Sequence, residues 1–276
     1  MSKLPSFRTT LEYALRGNLR VEVTNRLRPG SRPRLLPRPM PIRFAYSARR
    51  INTLLAAFPG QSRYLEIGVH MGRTLQQIRA PERWGVEPHP YFRTDRLPKG
   101  VTIRKCTSDE FFATLDAGQR FDVVFLDGLH TFQQTYRDLI NALRVCPSGL
   151  VLIDDVVPVD SVSANPDQRE ALEERARRHL QDPTFWHGDV YRVVAALSEH
   201  HSSQLTFCTI VGSGNPQTLV WRKSVTEEIL PADETALAGI EKLTYDDVFH
   251  SGVPDAFVPR SEDSAMDWAL GDLHRL

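Results

Sequence analysis

The stretch Tyr64-Leu-Glu-Ile-Gly-Val-His-Met-Gly-Arg73 decides the predicted fold. Its apolar run at 64 to 67 predicts a buried strand. Gly68 and Gly72 permit a tight turn, and residues 73 to 78 predict the start of a helix. Glycine is needed in such a turn because a side chain would block close approach of the backbone to a ligand. The stretch therefore predicts a ligand-binding crossover from strand to helix, whose first N–H groups have no partner within the helix.

The acids around this turn indicate the kind of ligand. The spacing Glu-x-Gly-x-x-x-Gly departs from the G-x-G-x-x-G pattern of dinucleotide-binding turns. Glu66 is a poor neighbour for a pyrophosphate, which is already negative, so the turn favours a cationic ligand. Glu87 ends a predicted second strand nineteen residues after Gly68, where an acid suits a ribose diol. The alternative is that Glu66 and the glycines form only a strand-to-helix turn.

A third predicted strand adds to the ligand pocket. Residues 101 to 105 form this strand, and a small polar cap then precedes a predicted helix at 107 to 112. Ser108 and Asp109 lie at the start of that helix. Asp109 is placed to accept a hydrogen bond from an adenine amino group, which completes the pocket expected for a nucleoside.

The remaining predicted strands indicate an α/β fold. The segments 121 to 127 and 150 to 154 are continuous apolar runs, as expected for central strands of a parallel sheet that is covered on both faces. The segments 205 to 211 and 218 to 221 are bridged by a short Gly-Ser-Gly-Asn-Pro turn. Strands joined so closely must be antiparallel, so a mostly parallel sheet ending in an antiparallel hairpin is predicted.

Three acids follow the two predicted central strands. Asp127 ends one strand, and Asp154 and Asp155 end the next. Ligands of open α/β sheets bind outside the carboxyl ends of the strands, so these acids are expected to share one crevice. Carboxylates this close destabilise the fold unless a cation compensates them, and oxygen ligands favour Mg²⁺, Ca²⁺ or Mn²⁺. Adjacent strand residues point to opposite faces, so Asp154 and Asp155 can share an ion only if the strand ends between them.

Each of these acids also has a purely structural interpretation. Asp127 could cap a helix that begins near Thr131, and Asp155 could start a turn. His130 could be a surface residue or part of the adenosine pocket. Farther along the chain, Trp186 and His187 could flank an acceptor ring. The structural alternative for that segment is a helix with Asp189 near its N-terminus.

The residues quoted above resemble class I S-adenosylmethionine-dependent methyltransferases. Glu66, Gly68 and Gly72 match the first motif of that family, and Glu87 matches its ribose-binding acid. The resemblance covers roughly residues 50 to 225 and implies a Rossmann-like sheet. A narrower resemblance is to metal-dependent O-methyltransferases of the macrolide-sugar (macrocin and mycinamicin) and cephalosporin-tailoring type. It is carried by Asp127-Gly-Leu-His130, Asp154-Asp155 and Trp186-His-Gly-Asp-Val-Tyr191.

The resemblance implies roles for these residues. Asp127, Asp154 and Asp155 would bind Mg²⁺ or another hard divalent cation, and His130, assisted by Asp127, would be the general base. The expected cofactor, S-adenosylmethionine, would be bound by Glu66, Gly68, Gly72, Glu87, Ser108, Asp109 and Asp127. The expected reaction is methyl transfer to a hydroxyl of a small molecule or sugar. Alternatives are a metal-independent methyltransferase on the same fold and a ligand-binding protein without turnover, while RNA methylation is disfavoured because no RNA-binding motif accompanies the basic arm.

Composition sets the outer limits of these expectations. The chain has 276 residues, of which 41% are hydrophobic and 25% charged, as is typical of an ordinary globular protein. We expect a methyltransferase domain at 50–225, a basic Pro/Arg-rich extension at 1–49 and an acidic extension at 226–276. Without an apolar run of membrane-spanning length or a signal-peptide core, the expected location is the cytoplasm. Three widely spaced cysteines predict reduced thiols rather than disulfides or a zinc site.

Charge is distributed unevenly along the chain. Residues 23 to 65 contain nine arginines and no acid, whereas residues 226 to 276 contain twelve acids and three lysines or arginines. We expect the basic arm to pack on the acidic tail, within one subunit or across a homo-oligomer. The alternative is an anionic acceptor. Because such extensions often vary around a shared cofactor site, we expect them to influence the choice of acceptor.

Overall fold

The computed structural model of the protein describes residues 46–58, 60–182 and 184–275. Most of the basic extension predicted at 1–49 therefore lies outside the described residues. Within them, an eight-stranded sheet forms the centre of the fold. Its strands are β1 (Arg63–Ile67), β2 (Glu82–Val86), β3 (Val101–Arg104), β4 (Val123–Leu126), β5 (Leu150–Ile153), β6 (Leu205–Ile210), β7 (Gln217–Arg222) and β8 (Pro259–Arg260).

The sheet is mostly parallel, as predicted. Its strand order is β3-β2-β1-β4-β5-β7-β6-β8, and β1 to β5 are all parallel to their neighbours within that set. β7 is antiparallel to both β5 and β6, which confirms the predicted C-terminal hairpin. The chain order reverses between β1 and β4, and ligands of doubly wound sheets bind at such a point.

Helices cover both faces of the sheet. They are α1 (Tyr46–Leu55), α2 (Ser108–Thr114), α3 (Phe132–Val145), α4 (Gln168–Arg177), α5 (Tyr191–Ala196), α6 (Glu234–Ile240), α7 (Tyr245–Phe249) and α8 (Glu262–Leu273). A π-helical stretch at Leu197–His201 continues α5. None of the helices in the described part of the chain combines the length and the apolar character that a membrane crossing requires.

Alternate residues of the central strands feed two separate hydrophobic cores. In β4, Val124 and Leu126 join the core that contains residues of α3 and α5. Val123 and Phe125 join the opposite core, which contains residues of α1 and α8. All four are almost fully buried, and burial of each such side chain stabilises the fold by about 1.5–3 kcal/mol. Burial on both faces explains why β4 and β5 are continuous apolar runs.

The helix predicted after Gly72 is wrong in type and extent. Only a single 3₁₀ turn, Leu75–Gln77, follows the glycine turn. Pro81 and the start of β2 at Glu82 leave too few residues for a regular helix. The side chain of Asn52 on α1 instead fixes this segment, since its amide donates to the Gln77 carbonyl at 2.9 Å and accepts from the Arg79 N–H at 2.8 Å.

Residues from the acidic extension complete the sheet. β8 pairs in parallel with β6, and α8 packs against α1 and the adjacent strands. Arg50, which belongs to the basic stretch, donates to Glu262 at the start of α8 at 3.0 Å. Arg49 also pairs with Glu262, at 2.7 Å. The expected packing of the basic arm as a whole on the acidic tail stays a prediction, because most of the arm lies outside the described residues.

The cysteines are free thiols, as predicted. Cys146 and Cys208 are buried, and Cys106 is partly exposed. Burial raises the pKa of Cys208 to about 12, so this thiol stays protonated at neutral pH.

Candidate functional site

The site lies at the carboxyl ends of the central parallel strands. Asp127 follows β4 directly, and its N–H donates to the Ile67 carbonyl of β1 at 2.9 Å. Asp154 follows β5 directly, and its N–H donates to the Leu126 carbonyl of β4 at 3.0 Å. These bonds extend the strand pairing by one residue and bring the acids after β4 and β5 to the same edge of the sheet.

Asp127, His130 and Asp155 form what we call the acid–histidine cluster. One potential metal-binding atom from each of the three side chains lies within 4.8 Å of the other two. The His130 Nε2 atom lies 3.5 Å from Asp127 Oδ1, and His130 Nδ1 lies 2.8 Å from Asp155 Oδ2. Among the described residues, no other set of acids, histidines or cysteines is grouped this closely. The sequence-predicted base thus lies between two of the sequence-predicted metal ligands.

Asp154 lies beside this cluster rather than within it. β5 is regular up to Ile153, Asp154 still pairs with β4 through its N–H, and Asp155 turns away with a left-handed φ of 57°, so the extended backbone ends between the two acids. Both carboxylates accept from the side-chain amide of Asn215, Asp154 Oδ1 at 2.5 Å and Asp155 Oδ1 at 2.8 Å. The condition for a shared ion is therefore met, and the assignment of Asp154 as a metal ligand stays a prediction.

Burial and mutual repulsion shift the charges of the site. Burial raises the pKa of Asp154 well above its ordinary value, and the charges of Asp155 and Asp127 add to the rise. Burial also raises the pKa of Asp127, although its contact with His130 opposes the rise. For His130, burial would lower the pKa, but Asp155 and Asp127 raise it well above its ordinary value. Burial would raise the pKa of Asp155, but His130 lowers it below its ordinary value. A divalent cation bound through carboxylate oxygens would in addition favour the ionised forms of Asp127 and Asp154.

An aromatic wall covers His130. The Trp186 indole stacks on the imidazole with 4.8 Å between ring centroids and an interplanar angle of 7°. The indole N–H donates to the Asn165 carbonyl at 2.8 Å, which fixes the ring. Gly188 permits this approach, because a Cβ on it would lie 1.6 Å from the His130 carbonyl oxygen. His187 points toward the same site, with its Nε2 3.9 Å from Asp155 Oδ1.

Asp189 caps the helix that follows His130. Its Oδ1 accepts from the Phe132 N–H, the first residue of α3, at 2.6 Å. Thr131, at the N-cap position, provides no side-chain cap of its own. The negative charge of a carboxylate at the N-terminus of a helix also interacts favourably with the positive end of the helix dipole. The alternative interpretation of Asp127 as the cap of this helix is therefore wrong, because Asp189 provides the cap and Asp127 contacts His130 instead.

The glycine turn after β1 brings the backbone of β1 and β4 together. Gly68 has a φ of 87°, and a Cβ on it would lie 1.8 Å from the Asp127 carbonyl oxygen. Gly72 has a φ of 69°, which also favours glycine. Glu66 is 2% exposed and accepts from the Tyr64 hydroxyl at 2.8 Å. Burial raises the pKa of Glu66 well above its ordinary value.

Glu87 organises the loop beside that turn. It directly follows β2, where the sequence predicts a ribose-binding acid. Its Oε2 accepts from the His70 N–H at 2.9 Å, and its Oε1 accepts from the His89 N–H at 3.0 Å. Each carboxylate oxygen has a second lone pair, so both can still accept from a diol.

Ser108 and Asp109 occupy the first turn of α2. The Ser108 hydroxyl is buried and accepts from Gln134 of α3 at 3.0 Å. The Asp109 carboxylate forms an exposed ion pair with Arg137 at 3.2 Å, which lowers the pKa of Asp109. Asp109 therefore already has a cationic partner, and its contact with adenine stays a prediction.

Asp138 is a buried acid that the sequence patterns above do not single out. It lies on α3, is 2% exposed and accepts from Gln134 at 3.1 Å. The same Gln134 contacts Ser108, so Asp138 is linked through Gln134 to a residue that the sequence assigns to the cofactor. Burial raises the pKa of Asp138 to about 6. Its spacing of three and four residues from Thr135 and Ala142 could have indicated burial, because all three residues lie on one face of α3.

Replacing Asp138 with asparagine is expected to raise stability more at pH 8 than at pH 4.5. The folded-state pKa of about 6 exceeds the ordinary value, so the fold favours the neutral carboxyl. That contribution is fully present below about pH 4 and is lost as pH rises through about 6. Asparagine is neutral throughout and avoids this loss.

The advantage of the D138N variant should therefore grow by about 2 kcal/mol between the two pH values. Urea unfolding of both proteins at each pH measures it. The same free-energy difference at both pH values would contradict the raised pKa of Asp138.

Comparison with known proteins identifies a family model that resembles part of the chain. Residues 65–156 match a family model described as a methyltransferase domain. The matched segment runs from β1 to just beyond β5, and it contains Glu66 and the whole acid–histidine cluster. No curated protein sequence matches the chain.

Several solved structures are similar to the chain. One, assigned as an O-methyltransferase from Klebsiella pneumoniae, is 19% identical over 73% of this chain and 95% of its own, with a TM-score of 0.45. Another, assigned as a caffeoyl-CoA O-methyltransferase from Staphylococcus aureus, is 14% identical over 78% of this chain and 98% of its own, with a TM-score of 0.44.

A third similar structure is the MycE methyltransferase of the Mycinamycin biosynthetic pathway, in complex with Mg, SAH and Mycinamycin VI. It is 15% identical over 68% of this chain and 51% of its own, with a TM-score of 0.42. The chain thus spans about half the length of MycE. At these scores the likenesses carry no conclusion about activity.

Proposed function

We propose that the chain is a methyltransferase, which the match of residues 65–156 to a methyltransferase domain supports. It would transfer a methyl group from S-adenosylmethionine to a hydroxyl of a small molecule or sugar, with the assistance of a divalent cation. The observation that carries the proposal is the acid–histidine cluster at the carboxyl ends of β4 and β5. It combines a base with carboxylates at the edge of the sheet where ligands of this fold class bind.

The donor set fits a hard divalent cation. Asp127 and Asp155 would hold the ion, with Asp154 beside them, and their oxygen atoms are the ligands that Mg²⁺ prefers. Burial raises the pKa values of Asp127 and Asp154, so a bound cation would stabilise the ionised forms of both side chains. A bound cation would make the hydroxyl of an acceptor more acidic.

His130 would take the proton from the acceptor hydroxyl in its neutral form. A cation held by Asp127 and Asp155 would favour that form, because it would offset the two negative charges that raise the pKa of His130. Its Nδ1 contact with Asp155 at 2.8 Å orients the ring and stabilises the imidazolium that forms. Stacking on Trp186 restrains the ring against rotation out of the site. S-adenosylmethionine would supply an electrophilic methyl group on a positively charged sulfur, so no covalent enzyme intermediate is needed.

The residues assigned to the cofactor lie together along one edge of the sheet. Gly68 and Gly72 shape the turn after β1, and Glu87 follows β2. Ser108 begins α2 after β3. Glu66 adds a buried carboxyl group one residue before the end of β1, where the positive charge of the cofactor would stabilise its ionised form.

Apolar side chains around His130 support an acceptor with an apolar ring face. Leu129 is 58% exposed and Phe185 is 43% exposed, and each is adjacent in sequence to a residue of the stacked His130–Trp186 pair. Exposed apolar side chains at a polar site are typical of a ligand-binding surface. A sugar ring or an aromatic ring would cover them.

Calorimetric titration tests the proposal without knowledge of the acceptor. S-adenosylmethionine is titrated into the protein in EDTA and then in Mg²⁺. We expect binding in both conditions, and a separate titration of Mg²⁺ should show binding to the acids. Absence of cofactor binding by folded protein would contradict the methyltransferase site, whereas cofactor binding without any metal binding would contradict only the role of the cation.

One contact favours a metal-independent variant of the same reaction. The 2.8 Å contact between His130 and Asp155 resembles the pairing of a general base with its orienting carboxylate, which needs no cation. Turnover that is unaffected by EDTA would select this mechanism.

Replacing Glu87 with glutamine is expected to weaken S-adenosylmethionine binding by about 10-fold or more, because hydrogen bonds to a charged group contribute about 1.5–3 kcal/mol. Metal binding should be unchanged. The matched control is E82Q, since Glu82 is at the other end of β2. Equal cofactor affinities for wild type and E87Q in calorimetry would remove Glu87 from the cofactor site.

A further inference from the structure

The loop between β6 and β7 reaches the acids of the site through Asn215. Its Nδ2 atom donates to Asp154 at 2.5 Å and to Asp155 at 2.8 Å. Two neighbouring carboxylates repel one another, and a donor shared between them reduces that repulsion. None of the contacts of Asn215 is explained by the strand pairing of the hairpin.

A buried arginine fixes the backbone of this loop. Arg50 of α1 is fully buried, and its guanidinium donates to the Asn215 carbonyl and to the Gln217 side chain, each at 2.7 Å. It also donates to the Ser213 carbonyl and pairs with Glu262. A buried guanidinium persists only when its donors are satisfied, so the loop backbone is a required partner of Arg50.

The loop also packs against the first residue of α1. Gly214 has a φ of 65°, and a Cβ on it would lie 2.5 Å from the Tyr46 ring. Gly212, in the same loop, has a φ of 82° but no atom within 4 Å of such a Cβ. The two glycines therefore share the backbone requirement, and only Gly214 is in close contact with α1.

From these contacts we propose that Asn215 is a positioning residue that holds the carboxylates of Asp154 and Asp155 side by side, and that its loop is held in place by Arg50 and Tyr46. The inference rests on the proposed function in one respect, the use of these two acids by the site. It assigns a functional role to the hairpin loop, which lies outside the matched methyltransferase segment.

A double-mutant cycle in EDTA tests the contact without metal or cofactor. N215A is expected to lower the Tm by about 3 °C. In the D154N/D155N background the same change should lower the Tm by less than half as much, because hydrogen bonds to neutral amides are weaker than those to carboxylates. Equal Tm losses in the two backgrounds would overturn the proposal.

Metal binding gives a second, independent measurement. We expect N215A to weaken Mn²⁺ binding about 10-fold in electron paramagnetic resonance titrations, a loss comparable to that of other groups that orient metal ligands. S-adenosylmethionine affinity should not change. The control is N141A, since Asn141 lies on the outer part of α3 and contacts Arg144.

The two glycines test how the loop is held. G214A should weaken Mn²⁺ binding as N215A does, because the new methyl group displaces the loop from Tyr46. G212A introduces a similar backbone strain without a clash and should bind Mn²⁺ as wild type does. Wild-type Mn²⁺ affinity in both N215A and G214A overturns the proposal. If wild type itself binds no Mn²⁺ but the cycle shows coupling, Asn215 keeps its positioning role and the metal assignment of the proposed function fails.

Discussion

The D155N variant is expected to lose metal-stimulated methyl transfer by at least about 100-fold, while S-adenosylmethionine affinity stays within about twofold. Asp155 contacts His130 and Asn215. Its negative charge would therefore both bind the cation and stabilise the protonated form of the base. Asparagine suits this test, because it tolerates the left-handed φ of 57° better than alanine does. Steady-state turnover with and without Mg²⁺ measures the loss.

The control for this variant is D116N. Asp116 is exposed in the turn after α2 and belongs to none of the residue sets assigned to the site. A D155N protein that retains metal-stimulated turnover would exclude Asp155 from the metal site. Loss of cofactor binding together with turnover would indicate general damage to the fold instead.

The H130Q variant is expected to lower kcat by about 100- to 10,000-fold, with much smaller changes in KM, because a general base acts in the transition state rather than in substrate binding. Glutamine is polar and keeps a side chain of similar reach beside Asp155, but it cannot take up a proton. Turnover at saturating acceptor and cofactor measures the effect.

The matched control for His130 is H250Q, because His250 is exposed. A kcat for H130Q within a few-fold of wild type would assign His130 to support of the acids rather than to proton transfer. Thermal unfolding of both variants shows whether a loss of rate follows from a loss of structure.

The sheet could be predicted from sequence because its signals are local. β4 and β5 are continuous apolar runs, and the short Gly-Ser-Gly-Asn-Pro connection requires an antiparallel pair. The helix expected at residues 73 to 78 could not be excluded in the same way. Its replacement by a 3₁₀ turn depends on the distance to β2 and on Asn52, which is far from the turn in sequence.

The site could be predicted only in part, because local sequence signals place some of its residues while others depend on contacts between distant segments. Asp127 and Asp155 follow strands, and parallel strands bring their carboxyl ends to one edge, so their proximity follows from topology. Asn215 reaches Asp154 across 61 residues of sequence, and Arg50 reaches Asn215 across 165. No spacing rule identifies them, because their roles depend on how helices and loops pack on the finished sheet.

The Arg50–Glu262 pair has a consequence for the way the protein is handled and modified. Helices from near both ends of the described chain meet at the loop that carries Asn215. A truncation that removes α8 would leave the buried Arg50 guanidinium without its carboxylate partner. The loop that Arg50 holds would then shift, and with it the contact of Asn215 with the acids of the site. Activity is therefore expected to change when an affinity tag or a fusion partner is attached near either helix, or when the chain is shortened there. An activity measured on such a form reflects the altered helix contacts as well as the site itself.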